Sequence, residues 1–261
     1  MAREEACKGR ERIFALGGDG TFQVLLNAVA GLPGVSIGVL PAGGGNDLAA
    51  ALGLPLNAFA AAAGILEAGE MRCLDAVRVR TADGVERLYM GGGGVGLDAE
   101  AVRFASGAYR NLRGRTRYLL SAIRALRGFE PLGLRISVQG QTQETIEAKA
   151  IMAGVLNTPS YGAGLRLAPE ASLEDGRLDL VLVADLSWFK IATILPALAV
   201  TGKIHSKWTQ RYSVEQARIE TDRPCIFQGD GELIGRTPVE IAVVPGAINV
   251  WRAKETWRAA G

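Results

Sequence analysis

Residues 12–21 read Arg12-Ile13-Phe14-Ala15-Leu16-Gly17-Gly18-Asp19-Gly20-Thr21. The segment from Arg12 to Leu16 has the length and apolar character of a short buried strand. The glycines after it form a turn, and Phe22, Leu25, Leu26 and Val29 then recur at helical spacing. Strand, glycine turn and helix repeat at once. Ser36 to Leu40 runs into Pro41-Ala42-Gly43-Gly44-Gly45-Asn46-Asp47, and a helical stretch, Leu48 to Leu52, follows with Asn46 or Asp47 placed to cap it. A third helix is expected over Asn57 to Ala68. Two successive strands that each end in a glycine loop at a helix N-terminus put both loops on one edge of a parallel sheet, where α/β proteins hold ligands.

Around this nucleus the chain has 261 residues, between one and two domains at roughly 150 residues each. It is 48% hydrophobic and 21% charged, which is the composition of a folded protein and excludes disorder as its main state. Lysine and arginine number 29 against 27 acidic residues, so no global field draws the chain to nucleic acid. The single histidine, His205, excludes triads and multi-histidine metal sites. Cys7, Cys73 and Cys225 fall in no metal or redox spacing, and a reducing cytoplasm is the expected home. The longest apolar stretch, Ile191 to Val200, is too short to span a bilayer and contains Pro196.

From about Arg72 the texture changes. Ala76 to Arg80 and Val85 to Met90 flank Ala82-Asp83-Gly84, the turn of an antiparallel hairpin. Leu134 to Val138, Ala148 to Leu156, Leu178 to Val183, Ala217 to Glu220, Pro238 to Val244 and Ile248 to Trp251 are further strands. Helical inserts are expected over Tyr118 to Leu126 and Ser187 to Leu198. The fold class is therefore an α/β domain, residues 1–75, followed by a mainly β domain, residues 76–251, with a tail of about 252–261 that returns to the first.

Four segments carry chemistry. Gly17 to Thr21 lets backbone amides approach a polyphosphate at a helix N-terminus, with Asp19 placed to order a cation or water. No Gly-Lys-Ser/Thr follows and there is no GxGxxG, so neither a Walker loop nor a dinucleotide fingerprint is present. Pro41 to Asp47 supplies a second such loop, Asn46 and Asp47 facing the first. The acidic run Ala168 to Leu180, preceded by Asn157 to Gly162, has the oxygen donors of a Mg²⁺ or Ca²⁺ site, although alone it is a solvated turn before a strand. Gln228-Gly229-Asp230-Gly231-Glu232 is a hairpin turn whose two carboxylates suit a general base or a magnesium ligand.

In this order the four segments resemble the diacylglycerol kinase catalytic-domain family, the bacterial soluble lipid kinases related to sphingosine and ceramide kinases. The resemblance implies an enzyme, an ATP- and Mg²⁺-dependent lipid kinase, with a three-layer α/β nucleotide-binding domain and a C-terminal β-sandwich carrying the lipid acceptor site. It implies that Gly17, Gly18, Asp19, Gly20, Thr21, Phe22 and Gln23 lie on ATP phosphates, with Gly44, Asn46 and Asp47 opposite. By the same resemblance Asp175 by side chain, and Ser172 and Arg177 by backbone oxygen, match a structural magnesium site. Glu232 matches the proton acceptor, with Asp230 beside it for the same role or for catalytic Mg²⁺, and Asp75 and Asp98 match acidic positions that link the two sites. The lipid substrate implies contact with an anionic membrane surface. Arg103, Arg110, Arg113, Arg115, Arg117, Arg124 and Arg127, a stretch without an acidic residue, are the expected patch, on a cytoplasmic protein peripheral at the inner membrane face.

Three departures from the family pattern accompany the resemblance. Met1 to Gly9 reads as only the tail of the helix that precedes Gly17 to Thr21, so the α/β domain is expected to be incomplete, lacking the family's first strands. Gly44 replaces a threonine, removing a hydrogen bond worth about 1 kcal/mol. Gln23 and Val24 replace an Asn-Glu pair. The rival expectations are a non-catalytic lipid-binding or regulatory relative that has lost ATP, and an NAD kinase.

Overall fold

The computed structural model describes residues 1–109, 111, 114–140, 143–162, 164–186, 190 and 206–254. The helix expected over 187–198 falls outside them but for Lys190, as do Ile191 to Val200, His205 and residues 255–261.

A short helix α1 (Ala2–Cys7) leads into strand β1 (Arg12–Gly17), helix α2 (Asp19–Val29), strand β2 (Ser36–Pro41) and helix α3 (Asp47–Ala51). β1 and β2 are parallel and in register from Arg12 opposite Ser36 to Gly17 opposite Pro41. Both glycine loops therefore leave the sheet at the same edge, as the repeat predicts. Helix α4 (Ala58–Ala68) begins where Asn57 Oδ1 accepts from the amides of Phe59 and Ala60 at 3.0 and 3.1 Å. Ala15, Ile37 and Val39 meet Phe22, Leu25, Leu26, Leu48, Ala61 and Ile65 in one buried cluster. β1 is not the buried strand its sequence suggests. It stands at the end of the strand order, and on its other face Phe14 is 41% and Leu16 66% exposed.

β3 (Gly69–Thr81) turns into β4 (Glu86–Tyr89) as the expected antiparallel hairpin, Val77 opposite Tyr89. Two elements follow that the sequence reading missed, β5 (Gly92–Gly96) and helix α5 (Leu97–Ser106), and then the anticipated α6 (Gly114–Leu126). β6 (Leu132–Gly140), β7 (Gln143–Leu156), β8 (Leu178–Ala184) and β9 (Thr209–Thr221) pair antiparallel in a closed circuit, β9 returning to β6. β10 (Ile226–Gly229) and β11 (Glu232–Arg236) form the Asp230-Gly231 hairpin. The strands separately expected over Pro238 to Val244 and Ile248 to Trp251 are one strand, β12 (Val239–Ala253), with a register shift between Val244 and Ile248.

β12 joins the two halves. Along its length it pairs with β3, Val239 opposite Thr81 at one end and Ala253 opposite Gly69 at the other. Its first part also pairs with β9 and its last with β2, Asn249 to Trp251 running parallel to Ser36 to Gly38. The described strands form a single twelve-stranded sheet. The mainly β part encloses its own core of Val79, Tyr89, Val95, Ile136, Ile219 and Phe227.

Candidate active site

The two glycine loops touch backbone to backbone. A Cβ on Gly43 would run into Gly18 Cα, and one on Gly18 would stand 3.1 Å from Gly43 Cα. Only glycine at both positions permits this approach. The first hydrogen bond of α2 runs from Phe22 N to Gly18 O at 3.1 Å, so the amides of Asp19, Gly20 and Thr21 precede the helical ladder, at the positive end of the helix dipole.

Several side chains expected at a ligand in this region also hold the loops. Asp19 Oδ1 accepts from Leu48 N at 3.1 Å and its Oδ2 from Asp47 N at 3.3 Å, so it caps α3 from the opposite loop. Asn46, although it stands at the N-cap position, makes no side-chain cap bond. Asn46 has φ 58° and turns its amide onto its own loop, accepting from Gly43 N and donating to Gly43 O, both at 3.0 Å. Phe22 is fully buried in the apolar cluster and its amide is spent on Gly18, which leaves it no donor for a phosphate. Gln23 is buried, and its Nε2 donates to Gly229 O at 3.0 Å, fastening α2 to the second glycine-acid motif. Thr21 and Gly44 are exposed at the cleft.

That motif is a two-residue hairpin loop. Asp230 and Gly231 both have positive φ, 49° and 82°, as a type I′ turn demands, and Gly229 pairs with Glu232 across it. Asp230 points inward. Its Oδ2 accepts from Met90 N at 2.9 Å, and its Oδ1 from Gly91 N at 2.9 Å and Gly92 N at 3.0 Å. Burial raises its carboxyl to about 7, the three amides opposing and the Asp19 carboxylate adding to the rise. Glu232 is exposed and reaches across to the first loop, its Oε1 standing 2.9 Å from where a Gly20 Cβ would be. The structure thus brings Gly17 to Thr21, Gly43 to Asp47, Asp230 and Glu232 to one cleft.

Behind the hairpin lies a polar cluster absent from the expected site except for Asp98. Gln228 Nε2 donates to Asp98 Oδ2 at 3.0 Å and also contacts the Tyr161 hydroxyl, which itself donates to Asp98 Oδ2 at 2.7 Å. Burial pushes the Asp98 carboxyl up, opposed by these two bonds and by the backbone amides of Ala99 and Asp98. The signal that the sequence did offer is the run Gly91-Gly92-Gly93-Gly94. A Cβ at Gly92 would stand 2.6 Å from Leu156 Cδ2, and one at Gly94 2.9 Å from Asp98 Oδ2.

The acidic turn is separate. Asp175 Oδ1 accepts from Arg177 N at 3.0 Å, and Ser172 Oγ accepts from Glu174 N at 3.2 Å. Asp75 is buried and ties this turn to β12, accepting from Gly176 N at 2.7 Å and Gly246 N at 2.8 Å. Its carbonyl and that of Met90 both receive Asn157 Nδ2, at 3.1 Å. No group of three or more His, Cys, Asp or Glu side chains suited to a metal stands among the described residues. The expected basic patch is described only in part. Arg103 pairs with Glu100, just upstream of the acid-free stretch; Arg124 and Arg127 are exposed; Arg117 is partly buried; Arg110, Arg113 and the side chain of Arg115 lie outside the description.

Residues 1–79 match the diacylglycerol kinase catalytic domain, and residues 91–252 match the YegS C-terminal NAD kinase beta sandwich-like domain. A diacylglycerol kinase of Mycobacterium tuberculosis is 30% identical over 247 residues, 95% of this chain and 78% of the relative. The chain belongs to the diacylglycerol kinase family. Other family members agree: a diacylglycerol kinase of Bacillus subtilis is 28% identical, covering 97% of this chain and 82% of its own. A crystal structure of a diacylglycerol kinase from Bacillus anthracis superposes with a TM-score of 0.67 at 21% identity, over 95% and 80% of the two chains, which shows the shared fold. As a family member the chain is a lipid kinase-type transferase, and the α/β plus β-sandwich class expected from sequence is the class observed.

Proposed function

We propose that this kinase transfers the γ-phosphoryl group of ATP, with Mg²⁺, to the hydroxyl of a diacylglycerol-like lipid. The observation that carries the reading is the convergence of two touching glycine loops with an exposed carboxylate, Glu232, over the N-terminus of α2. The amides of Asp19, Gly20 and Thr21 and the exposed backbone at Gly44 bind the phosphates. Their fixed dipoles favour the charge that develops on the transferring group without reorganisation. The lipid oxygen bonds to the γ-phosphorus as the bond to the bridging oxygen breaks; ADP leaves and the hydroxyl proton passes to Glu232.

Glu232 suits the base role better than Asp230, whose two oxygens are occupied by three backbone amides. Asp230 fixes the hairpin. Mg²⁺ fits an oxygen-only donor set with few protein carboxylates, since it keeps much of its water. In the acidic turn the Asp175 carboxylate and the Ser172 and Arg177 carbonyls would hold it. At the phosphates, bound Mg²⁺ supplies charge neutralisation. The exposed Arg124 and Arg127 support contact with anionic lipid.

The test is transfer of labelled γ-phosphate to a total lipid extract in mixed micelles, with the parent chain and Glu232→Gln. Label in a lipid with the parent, lost at least 100-fold in the variant, is the expected result. Equal labelling by both removes Glu232 as the base, and labelling of a soluble dinucleotide in place of lipid removes the lipid reading.

A further inference from the structure

We infer that Gln228 is a positioning residue for Glu232, locked in orientation by Asp98 and Tyr161; the inference rests on Glu232 being the proton acceptor.

The hairpin that presents Glu232 has only two loop residues, and each is fastened differently. Asp230 is tied down by its own carboxylate to the amides of Met90 to Gly92. Gly231 has no side chain to anchor it. Its amide donates to Gln228 Oε1 at 3.1 Å, and its peptide plane sets the direction in which the next residue, Glu232, leaves the backbone. Gln228 is completely buried, so water does not compete for that bond. A side-chain amide can present either face to Gly231, and only the carbonyl face accepts the N–H. Asp98 decides which face is presented. Its Oδ2 receives Gln228 Nε2 at 3.0 Å, which leaves Oε1 directed at Gly231; reversing the amide would set carbonyl against carboxylate and NH₂ against N–H. Tyr161 holds Asp98 through its hydroxyl at 2.7 Å and contacts the same amide.

The fold gives up ordinary packing to keep this cluster. Gly92 and Gly94 of β5 leave room for the Tyr161 ring and the Asp98 carboxylate, at the expense of side chains in a buried strand. Asp98 is a buried carboxylate, which costs stability that its bonds to Gln228 and Tyr161 only partly offset. The chain Asp98, Gln228, Gly231, Glu232 thus runs from the sheet interior to the cleft.

Four variants test this: Gln228→Met, Gln228→Glu, Tyr161→Phe and Glu232→Gln. One readout needs no substrate, the hydrogen exchange of the Gly231 amide. The other is kcat and the KM for ATP, with dioleoylglycerol in mixed micelles. In Gln228→Met, Gly231 is expected to exchange at least about 10-fold faster, and kcat to fall about 100-fold with KM for ATP within about 2-fold, as for a displaced reacting group. Gln228→Glu is expected to recover toward the parent as pH is lowered from about 8 to 6, because the protonated acid restores both a carbonyl acceptor and a donor to Asp98. Tyr161→Phe, which keeps the ring, is expected to lose about 3- to 10-fold in kcat. Unchanged Gly231 exchange in Gln228→Met, or kcat within about 3-fold of the parent, overturns the inference. If that variant does not fold, absence of acid recovery in Gln228→Glu overturns it instead. Parental kcat in Glu232→Gln overturns the base assignment and this inference with it, whereas loss there with parental kcat in Gln228→Met overturns this inference alone.

Discussion

Replacing Gly43 by alanine tests the contact on which the cleft depends. The added methyl would run into Gly18 Cα and stand 3.1 Å from Gly18 N and 2.8 Å from Asn46 Oδ1. Comfortable carbon contacts lie at about 3.5–4.0 Å, so the loops must separate by about 1 Å. Neither neighbour can yield cheaply. Gly18 is backbone at the start of α2, and Asn46 is held to Gly43 by two hydrogen bonds. Gly43 itself is exposed, so the change should cost stability no more than about 1–3 kcal/mol, as for a modest overpacking. Phosphoryl transfer is far more sensitive. If the two loops hold the phosphates as proposed, a displacement of about 1 Å between them should lower turnover about 100-fold. Gly18→Ala, whose methyl would stand 3.1 Å from Gly43 Cα, should be milder. The assay is kcat by labelled γ-phosphate transfer, with melting temperature as the control for folding. Parental turnover in Gly43→Ala, or a larger loss in Gly18→Ala than in Gly43→Ala, would refute the argument that loop contact sets the geometry.

The Asp230 carboxyl lies at about 7 in the folded chain against an ordinary 3.8, so the native state keeps a proton that the unfolded chain has released. The stability this contributes is complete below about pH 4 and is lost as pH rises through about 7; melting curves of Asp230→Asn should be flatter between pH 5 and 8 than those of the parent, and superimposable profiles would count against it. Asp75→Ala leaves the Gly176 and Gly246 amides without their acceptor, an expected loss of about 2–5 kcal/mol by denaturant titration, and a loss under about 1 kcal/mol would contradict the junction described for it. Asp19→Ala removes the cap of α3 and should cost about 1–2 kcal/mol, with turnover falling as the second loop loosens; unchanged stability would show that the cap is idle. Asp175→Ala should shift the Mg²⁺ titration of melting temperature, and an unaltered titration removes Mg²⁺ from that turn.

The elements most legible in the sequence were those that local chemistry dictates. Glycine after an apolar run, Ala82-Asp83-Gly84 between alternating segments and Asp230-Gly231 at a hairpin each state their own backbone conformation. What escaped was decided by distant partners. Gly92 to Gly96 has poor strand propensity and carried no assignment from sequence, yet it is a buried strand in which Tyr89, Tyr161, Phe227 and Leu156 occupy the space side chains would need. Asp19 has the position of a ligand residue, and its role in capping a helix that begins 28 residues later is set by the opposite loop. Gln228 meets Asp98 across 130 residues, a pairing no spacing rule contains. Burial of β1 was overestimated for a related reason: an apolar run says how much surface can be covered, and only topology says whether anything covers it.

The ribbon of β3 and β12, paired from Gly69–Ala253 to Thr81–Val239, has a mechanical consequence. Phosphotransferases that close on their substrates by rotating one lobe about a flexible linker need a segment with little to lose when it bends. Here two long strands cross from one lobe to the other side by side, and bending them sharply would break ladder bonds. Their pairing is interrupted between Val244 and Ile248, beside Gly246 and its bond to Asp75. Any bending of the ribbon would therefore break the fewest ladder bonds at that interruption.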